Sequence, residues 1–270
     1  MSTARRDGST SAHTLKILGL VALCGACALG GCGSHGRYTR EHISAAKVKM
    51  DAMKAATEFE MGRSAFLAGD LEKALRSVNN SIMLNPQVAR SHVMRGRILL
   101  EQGAMDEAMD ALRRAESVDP ASHDAKYYLG IAHERILDRA AALTYYRAAA
   151  ELDPANAQYA IATAEMMMET GDLAGAREFL ESRGPTFRHH AGVRQTLGHT
   201  ALLQGDRARA AEMFNEARLL APDDTQIAED LARVLIDLGD FAQADIHLSR
   251  LLREAAEAPA TENTRITRAD

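Results

Sequence analysis

Small, bulky and polar residues recur along this chain at an interval much longer than a helical turn. Pro86, Pro120 and Pro154 are 34 residues apart, and Pro222 lies two such intervals beyond Pro154. Taking these prolines as position 32 of a unit, position 20 is Ala74, Ala108, Ala142, Ala176, Ala210 and Ala244. Position 15 is Gly69, Gly103, Gly171, Gly205 and Gly239, interrupted by Leu137, and position 8 is always Gly or Ala. The pattern predicts two helices per unit. Gly-Asp at positions 15–16 ends one helix with a residue tolerant of positive φ and starts the next with a good N-cap. Proline at position 32 stops the second helix by removing a donor and clashing with the preceding turn.

Two helices approach closely only where their side chains are small. Gly or Ala at position 8 is therefore expected to face Ala at position 20. Larger residues at positions 7 and 24 (Met61 and Val78, Leu129 and Tyr146, Leu197 and Phe214) are expected to fill the flanking space. Each hairpin leaves an apolar face that only another hairpin covers, so the units stack into a solenoid. The predicted fold is all-α, a right-handed solenoid of six helix-turn-helix repeats at 55–88, 89–122, 123–156, 157–190, 191–224 and 225–256.

Departures from the pattern predict local features. Leu137 in place of glycine costs little provided that Asp138 still caps. Arg183-Gly184-Pro185 shortens the second helix of unit four, and 183–190 is expected to be flexible or bent before Ala191 resumes the register. Arg40 to Lys54 contains no helix breaker, so the first helix is expected to start near Thr39 and run on past Ala55, an extension able to cap the array. At the far end Ile246, Leu248, Leu251 and Leu252 are expected to fold inward against the first helix of their own unit. The alternative is a docking or dimer face. The tail 257–270 is polar without apolar periodicity and is expected to be disordered.

At these positions the chain resembles the tetratricopeptide repeat (TPR) family, whose 34-residue unit has small residues at 8 and 20 and proline at 32. YYLGIAHERILDRAAALTYYRAAAELDP (127–154) and TLGHTALLQGDRARAAEMFNEARLLAP (196–222) carry the likeness most fully. The resemblance implies a module that binds other proteins.

The first 31 residues read as an export signal. Arg5, Arg6 and Lys16 precede an uncharged run from Ile17 to Leu29, shorter than the roughly 20 apolar residues that span a bilayer. Leu29-Gly30-Gly31-Cys32 resembles the lipobox of bacterial lipoproteins, in which the cysteine becomes lipidated. Cys27 and Cys24 are poorer sites, with Cys24 and Leu23 respectively at unsuitable places before them. An uncleaved anchor or ordinary secretion is the alternative. All three cysteines lie between 24 and 32, so cleavage before Cys32 leaves one sulfur and no disulfide framework. A single acyl chain holds a protein only marginally, and multiple acylation makes attachment lasting. Gly33 is not the Asp associated with inner-membrane retention, so the expected location is the outer membrane, facing the periplasm. The tether 32–40 reaches at most about 28 Å.

Composition agrees with this reading. The chain is 46% hydrophobic but only 4% aromatic and has no Trp, which predicts a core of Ala, Leu and Met. Its 32 basic and 37 acidic residues lack the basic excess that nucleic-acid binding needs. Losing Arg5, Arg6, Lys16 and Asp7 with the leader leaves 29 against 36, a net charge of −7. No phosphate loop or Ser/His/Asp order is present, and no cofactor, metal or enzymatic turnover is expected. His189-His190 reads as a surface pair, and Met167 within Met166-Met167-Met168 as core filler.

The candidate site is the concave groove lined by positions 2, 5, 9 and 12 of the first helices. It comprises Phe59, Arg63, Phe66, Val93, Arg97, Leu100, Tyr127, Ile131, Arg135 and Ile161, with Glu134, Glu165 and Met168 alongside. The expectation is an apolar trough edged by Arg63, Arg97 and Arg135, with Phe59 and Tyr127 exposed. A hydrophobic segment or amphipathic helix of an envelope protein fits such a trough, its carboxylates reached by arginine. The alternative is that the rings pack between repeats. TPR modules that clamp acidic chaperone tails carry Lys and Asn where this chain has Phe59 and Arg63, which disfavours that ligand class. Gln195, His199, Gln226, Glu229 and Arg233 make units five and six polar, so binding is expected toward units one to four. A lipobox joined to six repeats also resembles the pilotin lipoproteins of type IV pili, which implies help in assembling a secretin. Adaptors of peptidoglycan hydrolases or envelope proteases, and an enzyme's regulatory subunit, are the alternatives.

Overall fold

The computed structural model describes residues 37–257, which are all-α, with twelve helices and no strand among them. The leader, Cys32 and residues 258–270 lie outside the described residues. The chain divides at Lys54/Ala55 into two compact units. Helix α1 covers Arg37–Leu67, so helix begins close to the expected Thr39. The following helices are α2 (Leu71–Leu84), α3 (Ala89–Glu101), α4 (Met105–Val118), α5 (His123–Arg135) and α6 (Arg139–Leu152). After them come α7 (Ala157–Glu169), α8 (Leu173–Ser182), α9 (Ala191–Leu203), α10 (Arg207–Leu220), α11 (Thr225–Leu238) and α12 (Phe241–Glu257). From Ala55 onward they pair into six hairpins that stack as a right-handed solenoid.

The turns follow the predicted chemistry. All five glycines at position 15 have positive φ, between 75° and 89°. Asp70, Asp138, Asp172, Asp206 and Asp240 each accept a hydrogen bond from a backbone N–H three residues on, at 2.9–3.2 Å. Leu137 adopts the same left-handed geometry at φ 63° with its side chain 71% exposed. The turn therefore imposes the conformation, and Leu137 makes little packing in return. Leu137→Gly is expected to raise stability by about 0.5–1 kcal/mol, read as an upward shift of the thermal midpoint.

The hairpin interior differs from the expected pairing. All six position-20 alanines are buried, but what sits over the position-8 glycines is the side chain at position 24. A Cβ on Gly96, Gly130 or Gly198 would lie 2.5–2.6 Å from Leu112, Tyr146 or Phe214. At position 7, Leu129 and Leu197 are buried, whereas Met61 is 44% exposed. Leu129 shares a cluster with Leu99 and Leu112 of the preceding unit, and unit one has no preceding repeat to supply such a surface.

Unit four keeps its length by another route. Helix α8 stops at Ser182, and 183–190 forms hydrogen-bonded turns, the bend of the two expected alternatives. Phe187 is buried there with Leu180 and Val193, replacing the missing helical turn. His190 accepts from the Val193 N–H as the N-cap of α9, and His189 is exposed. Met167 is buried as core. The expectation that the last apolar residues fold inward holds for Leu251, half-buried beside Thr225 and Ala228, and is corrected for Ile246, Leu248 and Leu252, which are exposed. Among the described residues helix α12 packs chiefly against α11, and it is Ala244 that is buried in the hairpin interior.

Candidate protein-binding groove

The first helices of the hairpins bring positions 5, 9, 12 and 13 to one side, because residues three and four apart share a helix face. Between α5, α7 and α9 they enclose an open cavity of about 780 Å³, within the range of formed binding sites. Ile131, Met168 and Leu203 give it apolar walls, with Tyr127 and Tyr146 beside them. Glu134, Glu165 and Glu169 also line it. A smaller recess of about 260 Å³ at units one and two is lined by Phe59, Arg63, Arg90, Val93 and Arg97, among others.

The predicted site residues divide accordingly. Arg63 is exposed and ion-paired to Glu60 at 3.2 Å, and Phe66, Arg97, Ile131 and Ile161 are half-buried. Phe59, Val93, Leu100 and Tyr127 are buried, which corrects the expectation of exposed rings at Phe59 and Tyr127. Position 5 points at the neighbouring unit, which closes over it. The Arg90 guanidinium lies 4.6 Å from the centre of the Phe59 ring. Tyr127 is packed among Tyr128, Tyr146 and Tyr159, with ring centres 4.9–5.6 Å away, and its hydroxyl accepts from Gln158 at 2.9 Å. Burial raises the pKa of all four hydroxyls, so each stays protonated at neutral pH.

The electrostatic map also differs from a trough edged by arginine. Arg97 spreads over the rings of Phe66 and Tyr128, at 5.1 and 4.9 Å. Arg135 donates to the Leu100 carbonyl and pairs with Glu101 at 3.7 Å, so it ties unit three to unit two. The basic character therefore sits at units one and two, while the deep cavity is acidic. Tyr146 donates to Glu134, and Arg139 pairs with Glu169 at 3.1 Å. Glu165 makes no hydrogen bond or ion pair with any described residue. Desolvation in the cavity, then repulsion from Glu134 and Glu169, raises its carboxyl above the ordinary range. Glu165 is nevertheless exposed at the open side of the cavity, where solvent screens much of that repulsion.

Reading by position found Glu134, Glu165 and Met168 but overlooked Glu169 and Leu203 at position 13, where it named Arg135 alone. Arg90 stands at position 2, within the template. Tyr146 comes from a second helix and is reached only because Gly130 leaves space for it. The cavity also extends to His199 and Leu203 of unit five, further along the array than expected. His199 itself pairs at 3.2 Å with the buried Asp230. Among the described residues no group of three or more His, Cys, Asp or Glu is placed to hold a metal, and no helix is long and apolar enough to cross a membrane.

Tetratricopeptide repeat models match residues 59–125, 127–183 and 201–261. The chain belongs to the TPR family, and its fold is a protein-interaction scaffold. Cellulose synthase 1 operon protein C of Komagataeibacter xylinus is 30% identical over 122 residues, which are 44% of this chain and 9% of that protein. This chain thus spans about a tenth of that relative. Among solved structures, pilF of Pseudomonas aeruginosa superposes with a TM-score of 0.65 at 13% identity, over 77% of this chain and 95% of that one. PilW, a type IV pilus biogenesis factor, gives 0.65 at 16% identity, over 79% and 97%. At these identities the likeness is one of fold.

Proposed function

We propose that this chain is a lipid-anchored adaptor of the bacterial envelope. It holds a segment of another envelope protein in its concave groove and has no turnover of its own. The observation that carries the reading is the open, apolar-walled cavity formed by successive first helices, with a second recess further along the same side. The lipobox ending at Cys32 supports attachment to the outer membrane, facing the periplasm. The fold shared with PilW, a type IV pilus biogenesis factor, supports a place in assembling a pilus or secretion complex, and the resemblance to pilotin lipoproteins makes a secretin the partner class.

Two measurements test this. Intact-mass spectrometry of detergent-extracted protein should show loss of residues 1–31 and an acylated Cys32; an intact leader with a free thiol would remove the anchor. Crosslinking in the envelope should recover a secretin-class protein. Recovery of peptidoglycan hydrolases or proteases would overturn the assembly role in favour of the alternative adaptor.

A further inference from the structure

We propose that the cavity between α5, α7 and α9 receives a Lys or Arg side chain presented by the partner's segment, so that the partner is read at this point by a cation. This rests on the groove being the docking surface and names the chemistry of what docks there. It reverses the expectation from sequence, in which arginines of the groove reach partner carboxylates.

The charge balance inside the cavity carries the argument. Glu134, Glu165 and Glu169 face the same space, and the cations nearby are already engaged. Arg135, which also lines it, is drawn to Leu100 and Glu101 of the preceding unit, and Arg139 holds Glu169. Glu165 is left without a counter-charge. An acidic segment would meet Glu134 and the unpaired Glu165 here, whereas a cation would relieve the repulsion between them. The same carboxylates are not placed to hold a metal ion. The remaining lining suits a long cationic side chain: Ile131, Met168 and Leu203 stand where its methylene stem would lie, with the buried Tyr127 and Tyr146 bordering the cavity. About 780 Å³ leaves room for apolar neighbours on the same segment.

The test is selection from a random peptide library displayed on phage, panned on the full chain in detergent. The site is located with a photo-crosslinking residue in place of Ile131. Selected peptides that crosslink from this position are expected to share a Lys or Arg. Replacing that residue by norleucine or Glu should weaken binding at least tenfold. In the chain, Glu165→Lys should weaken the same peptides at least tenfold and Glu165→Gln by a smaller factor. Glu165→Gln should melt no lower than the parent, which separates lost recognition from lost folding. Cavity-crosslinked peptides that lack a required cation, or that bind Glu165→Lys undiminished, would overturn the cation assignment while leaving the groove as the docking surface. Selected peptides that crosslink only outside the groove would overturn the docking reading itself.

Discussion

Phe214→Ala is expected to destabilise the protein by about 3–5 kcal/mol, the usual cost of emptying a buried aromatic site. Phe214 is fully buried, sits over Gly198, meets the edge of His199 with ring centres 5.0 Å apart, and shares a cluster with Ala201, Leu231 and Val234. The residues around it are carried on three helices, so the space cannot close by one side chain turning inward. Each repeat of a solenoid contacts only its neighbours, and the loss should be local. Hydrogen exchange is expected to quicken in α9 to α12 while α3 to α6 keep their protection. A loss below about 1 kcal/mol would mean that the ring is not what joins units five and six.

Gly130→Leu is the second large effect, expected to exceed the 1–3 kcal/mol typical of overpacking by a few methylenes. A Cβ there would stand 2.5 Å from two ring carbons of Tyr146, itself almost wholly buried and tied to Glu134 through its hydroxyl. The gain in helix propensity on replacing glycine is about 1 kcal/mol and does not offset that clash. Combining Gly130→Ala with Tyr146→Ala should recover much of what the alanine alone costs, so a double-mutant cycle followed by denaturant unfolding is expected to show strong coupling. Independent, additive effects would contradict the seating of position 24 on position 8.

These pairs also show what the sequence conveys and what it leaves out. The Gly-Asp turns were legible because only a left-handed residue followed by an N-cap fits so short a break. The cost at Leu137 was not: a cap at Asp138 was expected to make it small, and the cap forms, yet the turn still holds a leucine at φ 63°. Which side chain meets the position-8 glycine was not legible. Small residues at 8 and 20 mark a close approach, but it takes coordinates to show that the ring at 24 fills the space. The groove was read less well for a related reason. Helical spacing assigned Phe59, Tyr127, Glu165 and Met168 to one side, yet burial depends on the next unit. Gln158 and Tyr159 enclose Tyr127, and Arg90 covers Phe59. Charge followed the same rule: Arg135 looks available along its own helix but is spent on Leu100 and Glu101. Phe187 had no periodic signal, because it lies where the pattern lapses.

The central claim is that this solenoid acts by holding a partner segment on its concave side. It is tested most directly by site-specific photo-crosslinking in intact cells, with the probe placed at Ile131 in the cavity and, separately, at the exposed Arg113 on α4, outside both groove recesses. The account predicts a discrete crosslinked protein from position 131, absent when Glu165→Lys is present, and none from position 113. A crosslink to the same protein from 113 that persists with Glu165→Lys, with nothing captured from 131, would contradict it.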